Sequence, residues 1–427
     1  MYLSSIDRRW RHRTAGGLWR GAGGTGGTVF VLGTVSLLTD VSAEMVTAVL
    51  PLYFVLILHL TPAAYGVVDG LYTGATAVLR LVGGYVADRL HRRKSVAAVG
   101  YGISALAKLG LLAAGTSVTA LSAVTVADRA GKGLRTAPRD ALITASVPQP
   151  VLGRAFGIHR AMDSMGAFSG PLVALGILTL IGTTSQAAFE SLFLTSFCIA
   201  ASAVLMLVTF ARDRPAAAAP ERPCRDADVA GPRAAAGLLR DTGVRRLVCA
   251  AGLLGLSTIG DGFVYLILMR RESLAIGWFP LFAAGTNLAY LILAGPFGAL
   301  ADRLGRKPML LAGYTLLASV YVLLALPLTG LPVVCAILAL YGMFYAATDG
   351  VLMALAGPML PERLRATGLA YVQTAQALAY FVSSVAFGFA WTWWGLKTAT
   401  GTAIAAVAVA VIATTVLMPH QETSEAR

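Results

Sequence analysis

The chain has 427 residues, of which 57% are hydrophobic and only 13% charged, with a formal net charge of +13. At a mean hydropathy of +0.72 there is too little polar surface to cover a water-soluble globule, so most of the chain must face lipid or pack within it. The positive charge then needs no nucleic-acid partner, because short loops on one side of a membrane carry an excess of Lys and Arg.

In chain order, residues 1–27 form an Arg- and Gly-rich tail with no apolar core ahead of a small-residue cleavage site, so no cleaved signal peptide is expected. A bilayer core of roughly 30 Å needs about 20 apolar residues per helix. Twelve runs of that kind follow, near 28–57, 64–87, 95–115, 117–140, 154–181, 187–211, 246–268, 277–300, 308–328, 332–355, 366–391 and 396–418. They divide into six-helix bundles over 28–211 and 246–418, joined by a Pro- and Ala-rich linker at 212–245 and followed by a short tail at 419–427. Arg8, Arg9, Arg11, Arg13 and Arg20 in the first tail, Arg89, Arg92, Arg93 and Lys94 after the second span, and a run of arginines in the linker fall on one side. The opposite loops hold only Arg270, Arg271 and Lys397. The expected topology is a multi-pass plasma-membrane protein with both termini cytoplasmic.

The segment Gly84-Tyr-Val-Ala-Asp88-Arg89-Leu-His91-Arg92-Arg-Lys returns 214 positions later as Gly298-Ala-Leu-Ala-Asp302-Arg303-Leu-Gly305-Arg306-Lys. Each copy joins two apolar runs as a short charged hairpin, the mark of a parallel internal repeat. Two such hairpins, after the second and eighth spans, resemble the signature of the major facilitator superfamily, and His91 in place of Gly is the one departure in the first copy. The resemblance implies an all-α membrane fold of two six-helix bundles related by a pseudo-twofold axis along the membrane normal. It also implies a cytoplasmic gate of Gly84, Asp88, Arg89, Arg92, Gly298, Asp302, Arg303 and Arg306, with Asp88 near the start of the eleventh span (366–368) and Asp302 near Gly153. A carboxylate there would complement the positive end of a helix.

On the fifth span, Gly157, Gly166, Gly170 and Pro171 resemble the motif of the antiporter branch of that superfamily, although Ala174 and Leu175 stand where the family pattern ends in glycines. Glycine lets membrane helices approach closely, and proline frees a backbone carbonyl.

Ionisable groups within spans are costly and usually mark pathways. The first half holds Asp40, Glu44, Asp69, Arg80, Lys108, Asp128, Arg129, Lys132, Arg135, Arg160 and Asp163, and the second chiefly Asp261 and Asp349. Ion coupling is therefore expected in the first half. Asp40 and Glu44, four residues apart, share one helical face. Two carboxylates so close in a low dielectric repel, so one of them is a candidate to exchange a proton. The coupling candidates are Asp40, Glu44, Asp128, Arg129, Lys132 and Asp163; Arg129 falls near the place where superfamily members carry a fourth-helix arginine linked to proton transfer. Asp261 and Asp349 lie beside glycines that weaken their helices, where transporters expose ligand groups. With Asp69, Tyr265, Tyr341 and Tyr345 they make up the expected substrate cavity. His59 and His159, near span ends, are expected to face solvent or cap helices.

Scattered Cys198, Cys224, Cys249 and Cys335 indicate neither disulfide nor zinc site, and no nucleophile–base pair or phosphate loop points to an enzyme. The expected protein is a monomeric secondary transporter without a cofactor. Its expected activity is proton-coupled export of a small amphipathic or drug-like molecule, the alternatives being import of a small organic anion or movement of a divalent metal.

Overall fold

The computed structural model describes residues 25–90, 93–115, 117–147, 152–182, 185–211, 237–238, 240–272, 274, 276–360 and 365–418. For 25–26, 56–57, 77–90, 93, 118, 137, 141, 145, 152–154, 157, 357–358, 365–367 and 370 the description is of the backbone. Among the described residues the secondary structure is helical, with no strand. The first half contains α1 (Thr25–Leu52), α2 (Pro62–Leu90), α3 (Arg93–Ala113), α4 (Val118–Ser146), α5 (Leu152–Ile181) and α6 (Gln186–Phe210). The second contains α7 (Thr242–Leu256), α8 (Asp261–Glu272), α9 (Phe279–Leu304), α10 (Arg306–Ala325), α11 (Leu331–Thr348), α12 (Val351–Met359) and α13 (Arg365–Leu417).

Nine helical segments among the described residues are long and apolar enough to cross a membrane. One of them, Tyr371–Leu417, suffices for two crossings and turns at Gly395, where φ is +81°. α2 and α4 complete the twelve. α4 carries Asp128, Arg129, Lys132, Arg135, Arg139 and Asp140, so its place in the membrane depends on burying charge within the protein.

Two spans are broken where the sequence weakens them. α7 stops at Leu256 and α8 resumes at Asp261; in the gap the freed Ile259 N–H donates to the Tyr321 hydroxyl at 3.0 Å, the internal satisfaction that irregular backbone at membrane depth requires. α11 ends at Thr348 and α12 begins at Val351, with Gly350 at φ +75°.

The successive helices run up and down, so α6 and α7 meet the linker at one end of the bundle and α1, α5 and α8 finish at the other. At the linker end Lys94 bonds the Val208 carbonyl (2.8 Å), Arg306 bonds the Ala354 carbonyl (2.6 Å) and Lys307 bonds the carbonyl of Met418. At the far end the two halves are pressed together. A Cβ added to Gly66 of α2 would lie 2.5 Å from the Ser384 carbonyl of α13, and one on Gly388 would lie 2.4 Å from the Pro62 carbonyl. The rings of Tyr65, Phe263, Phe387 and Trp391 plug this end, with successive centroids 4.8, 4.9 and 6.1 Å apart. Without a hydrophobic drive between helices in lipid, such close van der Waals contact at small residues is what holds the halves together.

Candidate functional site

α1 turns Asp40 and Glu44 toward α5, and two glycines of α5 set how closely they approach. A Cβ on Gly166 would lie 3.0 Å from Asp40 Cβ, and one on Gly170 would lie 2.8 Å from Glu44 Cβ and from the Val41 carbonyl. Only hydrogen at these positions permits the contact. The glycines thus serve the carboxylates directly, one turn of α5 against one turn of α1.

Both carboxylates line a cavity of about 230 Å³ whose other walls are Lys132 of α4, Asp163, Ser164 and Ala167 of α5, and Asn287 and Tyr290 of α9. Asn287 donates to the Ala167 carbonyl across the interface between halves at 2.9 Å, and the Tyr290 hydroxyl donates to Asp349 at 2.8 Å. Asp349 is exposed and so stands behind the wall, holding Tyr290.

The six coupling candidates fall into two groups. Asp40, Glu44, Lys132 and Asp163 meet in the cavity. Asp128 and Arg129 do not. Asp128 accepts from Ser104 at 2.6 Å, pairs with Lys108 of α3 and lies 2.7 Å from Arg129, whose guanidinium sits 3.7 Å from the centre of the Tyr72 ring. This buried group ties α3 to α4. It satisfies each charge with partners that the sequence spacing left open.

Arg135 and Arg139, which follow Lys132 down α4, take up the other two acids. Arg135 approaches Asp40 at 3.9 Å and lies over the Tyr101 ring at 4.6 Å. Arg139 donates to Asp140 at 3.0 Å and to Ser36 at 3.1 Å and approaches Asp163 at 3.9 Å. His159 departs from expectation. It is 2% exposed, with Nε2 3.6 Å from Asp163, because the helix of span five continues past it toward the linker end and puts it one turn from Asp163. His59 is exposed, at φ +50°. Arg139 and Asn287 carried no signal that separates them from other polar residues at similar depth, and only the packing of α4 and α9 reveals them.

The expected substrate-cavity residues sit elsewhere. Asp261 accepts from Tyr341 at 2.6 Å and from Tyr345 at 2.5 Å, and Tyr265 and Tyr341 are buried in the aromatic packing of the second half. The hydroxyls of Tyr341 and Tyr345 are taken up by Asp261 and their rings pack on neighbouring rings, and none of these side chains lines the cavity. Asp69 lies at the closed far end, accepting from Ser384 at 2.8 Å, Tyr65 at 3.3 Å and Tyr380 at 3.5 Å. It rests on the α7–α8 break, where a Cβ on Gly260 would lie 2.2 Å from its Oδ2.

Of the gate residues, Asp302 and Arg303 are exposed at the end of α9, Arg306 bonds the Ala354 carbonyl, and a Cβ on Gly298 would meet nothing within 4 Å; between them Gly305 makes the turn at φ +96°. Gly84, Asp88 and Arg89 lie on the part of α2 described by backbone, and Arg92 lies outside the described residues, as does most of the linker. Gly157 likewise is described by backbone alone, while Pro171 is buried within α5.

A broken-helix bundle with paired halves and a charged cavity between them is a transporter's architecture, and the family profile described as Major Facilitator Superfamily matches residues 32–286 and 256–427. The chain belongs to the major facilitator superfamily. This superfamily member is 29% identical over 376 residues to an uncharacterized MFS-type transporter of Methanocaldococcus jannaschii, covering 85% of this chain and 88% of that one. It is 34% identical over 155 residues to an uncharacterized protein of Mycobacterium tuberculosis, covering 36% and 37% of the two chains. Among solved structures it superposes on the nucleoside transporter NupG with a TM-score of 0.78 at 15% identity, over 92% of this chain and 100% of that one. It also superposes on the Escherichia coli fucose:proton symporter FucP with a TM-score of 0.61 at 16% identity, over 92% and 98%. Identities this low establish the shared fold. The protein is therefore a multi-pass membrane transporter of the superfamily type, within a group of transport proteins and not of enzymes.

Proposed function

We propose that this transporter exports a small molecule across the plasma membrane in exchange for protons, with the linker end and both termini cytoplasmic. The observation that carries the reading is the seating of Asp40 and Glu44, one turn apart, on Gly166 and Gly170 at the wall of the cavity. Among the described residues, Asp40 has Arg135 within 4 Å, whereas no ion pair within that distance joins Glu44. Glu44 is the better proton carrier on this reading, since a carboxylate without a close counter-ion gains most from protonation when it leaves water. Lys132, which attracts both acids, would hold the charged form, and its release on protonation favours one state of the bundle. Protons and cargo shift such an equilibrium only through their difference in affinity for the two states.

Export over import rests on the antiporter-type glycines. Import of an organic anion draws less support, because Arg129 is engaged by Asp128 and Tyr72 and Arg135 by Asp40 and Tyr101. A divalent metal as cargo draws less too: among the described residues no three His, Cys, Asp or Glu side chains converge to hold one. A volume near 230 Å³ lies below the roughly 300–1,000 Å³ of pockets for drug-sized ligands, so a small polar cargo fits better than an amphipathic drug.

The test is gradient-driven uptake into inverted vesicles containing the full-length protein, screened against dyes, drugs, metals, organic acids and small polar metabolites. Glu44→Gln is expected to abolish gradient-driven uptake and leave substrate exchange partly intact, since the amide mimics the protonated acid but cannot release a proton. Uptake in an Asp40→Asn/Glu44→Gln double variant with wild-type pH dependence overturns the reading.

A further inference from the structure

The charges around the cavity do not cancel at random. Asp40 is matched by Arg135 at 3.9 Å, and Asp163 by Arg139 at 3.9 Å and by His159 at 3.6 Å. Two lining groups have no such partner among the described residues: the Glu44 carboxylate on α1 and the Lys132 ammonium on α4. Both border the same space of about 230 Å³. Arg139 is also bound to Asp140 at 3.0 Å, a residue outside the cavity lining; of the lining charges, one anion and one cation are left pointing at whatever fills the space.

We propose that the cargo of this cavity is a small zwitterion of net charge zero, its ammonium group received by Glu44 and its anionic group by Lys132. This rests on reading the cavity as the transport site. A free monoamine would leave Lys132 facing no partner, and a free monocarboxylate would leave Glu44 so. A buried charge whose partner is lost is penalised far more than a satisfied one gains. A dipolar molecule satisfies both at once, through charge-assisted hydrogen bonds, the strongest of the ordinary kind. The cavity size limits the backbone between the two charges to a few carbon atoms, and Ser164, Asn287 and Tyr290 add polar wall. Because Glu44 is also the proposed proton carrier, ammonium and proton would contend for one carboxylate, and the exchange of one for the other follows from their sharing it.

The test is equilibrium binding to the purified full-length transporter in detergent, with no gradient, by thermal shift and calorimetry. The probes are glycine, β-alanine, γ-aminobutyrate and glycine betaine, each set against its amine-only and carboxylate-only counterparts. At least one zwitterion is expected to bind at least tenfold more tightly than both of its counterparts. Lys132→Gln is expected to erase that margin over the amine, and Glu44→Gln the margin over the carboxylate. The comparison within the wild-type protein stands even if a variant folds poorly. Preference for amines alone or carboxylates alone, no binding across the set, or an unchanged margin in both folded variants overturns the proposal. Absence of proton coupling in the wild-type protein, with zwitterion binding intact, would overturn the functional reading and leave this one standing.

Discussion

Single atoms decide the approach of α1 to α5. A methyl group on Gly170 would meet Glu44 Cβ and the Val41 carbonyl at 2.8 Å and the Met45 nitrogen at 3.0 Å, two of them backbone atoms that cannot swing aside. Overpacking of this kind costs about 1–3 kcal/mol, so Gly170→Ala is expected to lower the melting temperature and displace Glu44 from the cavity. Gly102, where a Cβ would meet nothing within 4 Å, is the control: Gly102→Ala should leave both melting and transport near wild type. Asp128 illustrates the opposite case. Removing its charge strands Lys108 and Arg129, both buried, and breaking a buried pair costs about 3–5 kcal/mol. Asp128→Asn is expected to destabilise the folded protein strongly in a detergent melt, whereas Glu44→Gln, at a site without a close ion partner, should melt near wild type while losing coupling.

Among the elements, the α7–α8 break has the clearest mechanical role. It lets the backbone at Gly260 approach Asp69 of the other half, whose carboxylate also accepts from Ser384 and Tyr380 of α13. One side chain of the first half is thus gripped by two elements of the second. Gly260→Ala puts a Cβ 2.2 Å from that carboxylate and is expected to force the far end apart. A cysteine pair at Ala63 and Thr392, whose backbone N–H and hydroxyl now bond at 3.0 Å, reports this: its disulfide yield should fall in Gly260→Ala. An unchanged yield would mean that the far end closes without the Asp69 contact. The α11–α12 break acts less directly, through Asp349 and Tyr290.

At the scale of the whole molecule, hydrogen bonds between halves among the described residues lie toward the far end or at mid-depth. Asp302 is exposed, with no ion pair among the described residues, so a role in the proposed gate would be exercised in another state of the bundle. Asp302→Asn should therefore leave this state intact and remove a helix-end attraction of about 0.3–2 kcal/mol from the alternative, shifting the population toward the conformation described here. With Cys198, Cys224, Cys249 and Cys335 replaced by serine, a cysteine at Ala167 in the cavity should label faster in the Asp302→Asn background. Equal rates would count against the gate.

The twelve spans, the repeat and the points at which two helices break were legible from the sequence, because each depends on local quantities: apolar run length, a recurring hairpin, a glycine beside a polar residue. The face shared by Asp40 and Glu44 was legible for the same reason, being fixed by the turn of one helix. Partnership among the charges was not. Helical spacing gives a side chain's direction only about its own axis, and the rotation and tilt of α3, α4 and α5 against one another turned Asp128 to Lys108, Arg135 to Asp40 and Arg139 to Asp163. The same rotations turned Asp261 and its tyrosines to one another, buried His159, and left Glu44 and Lys132 as the two unmatched charges at the cavity, a remainder that exists only once every other pair has been placed.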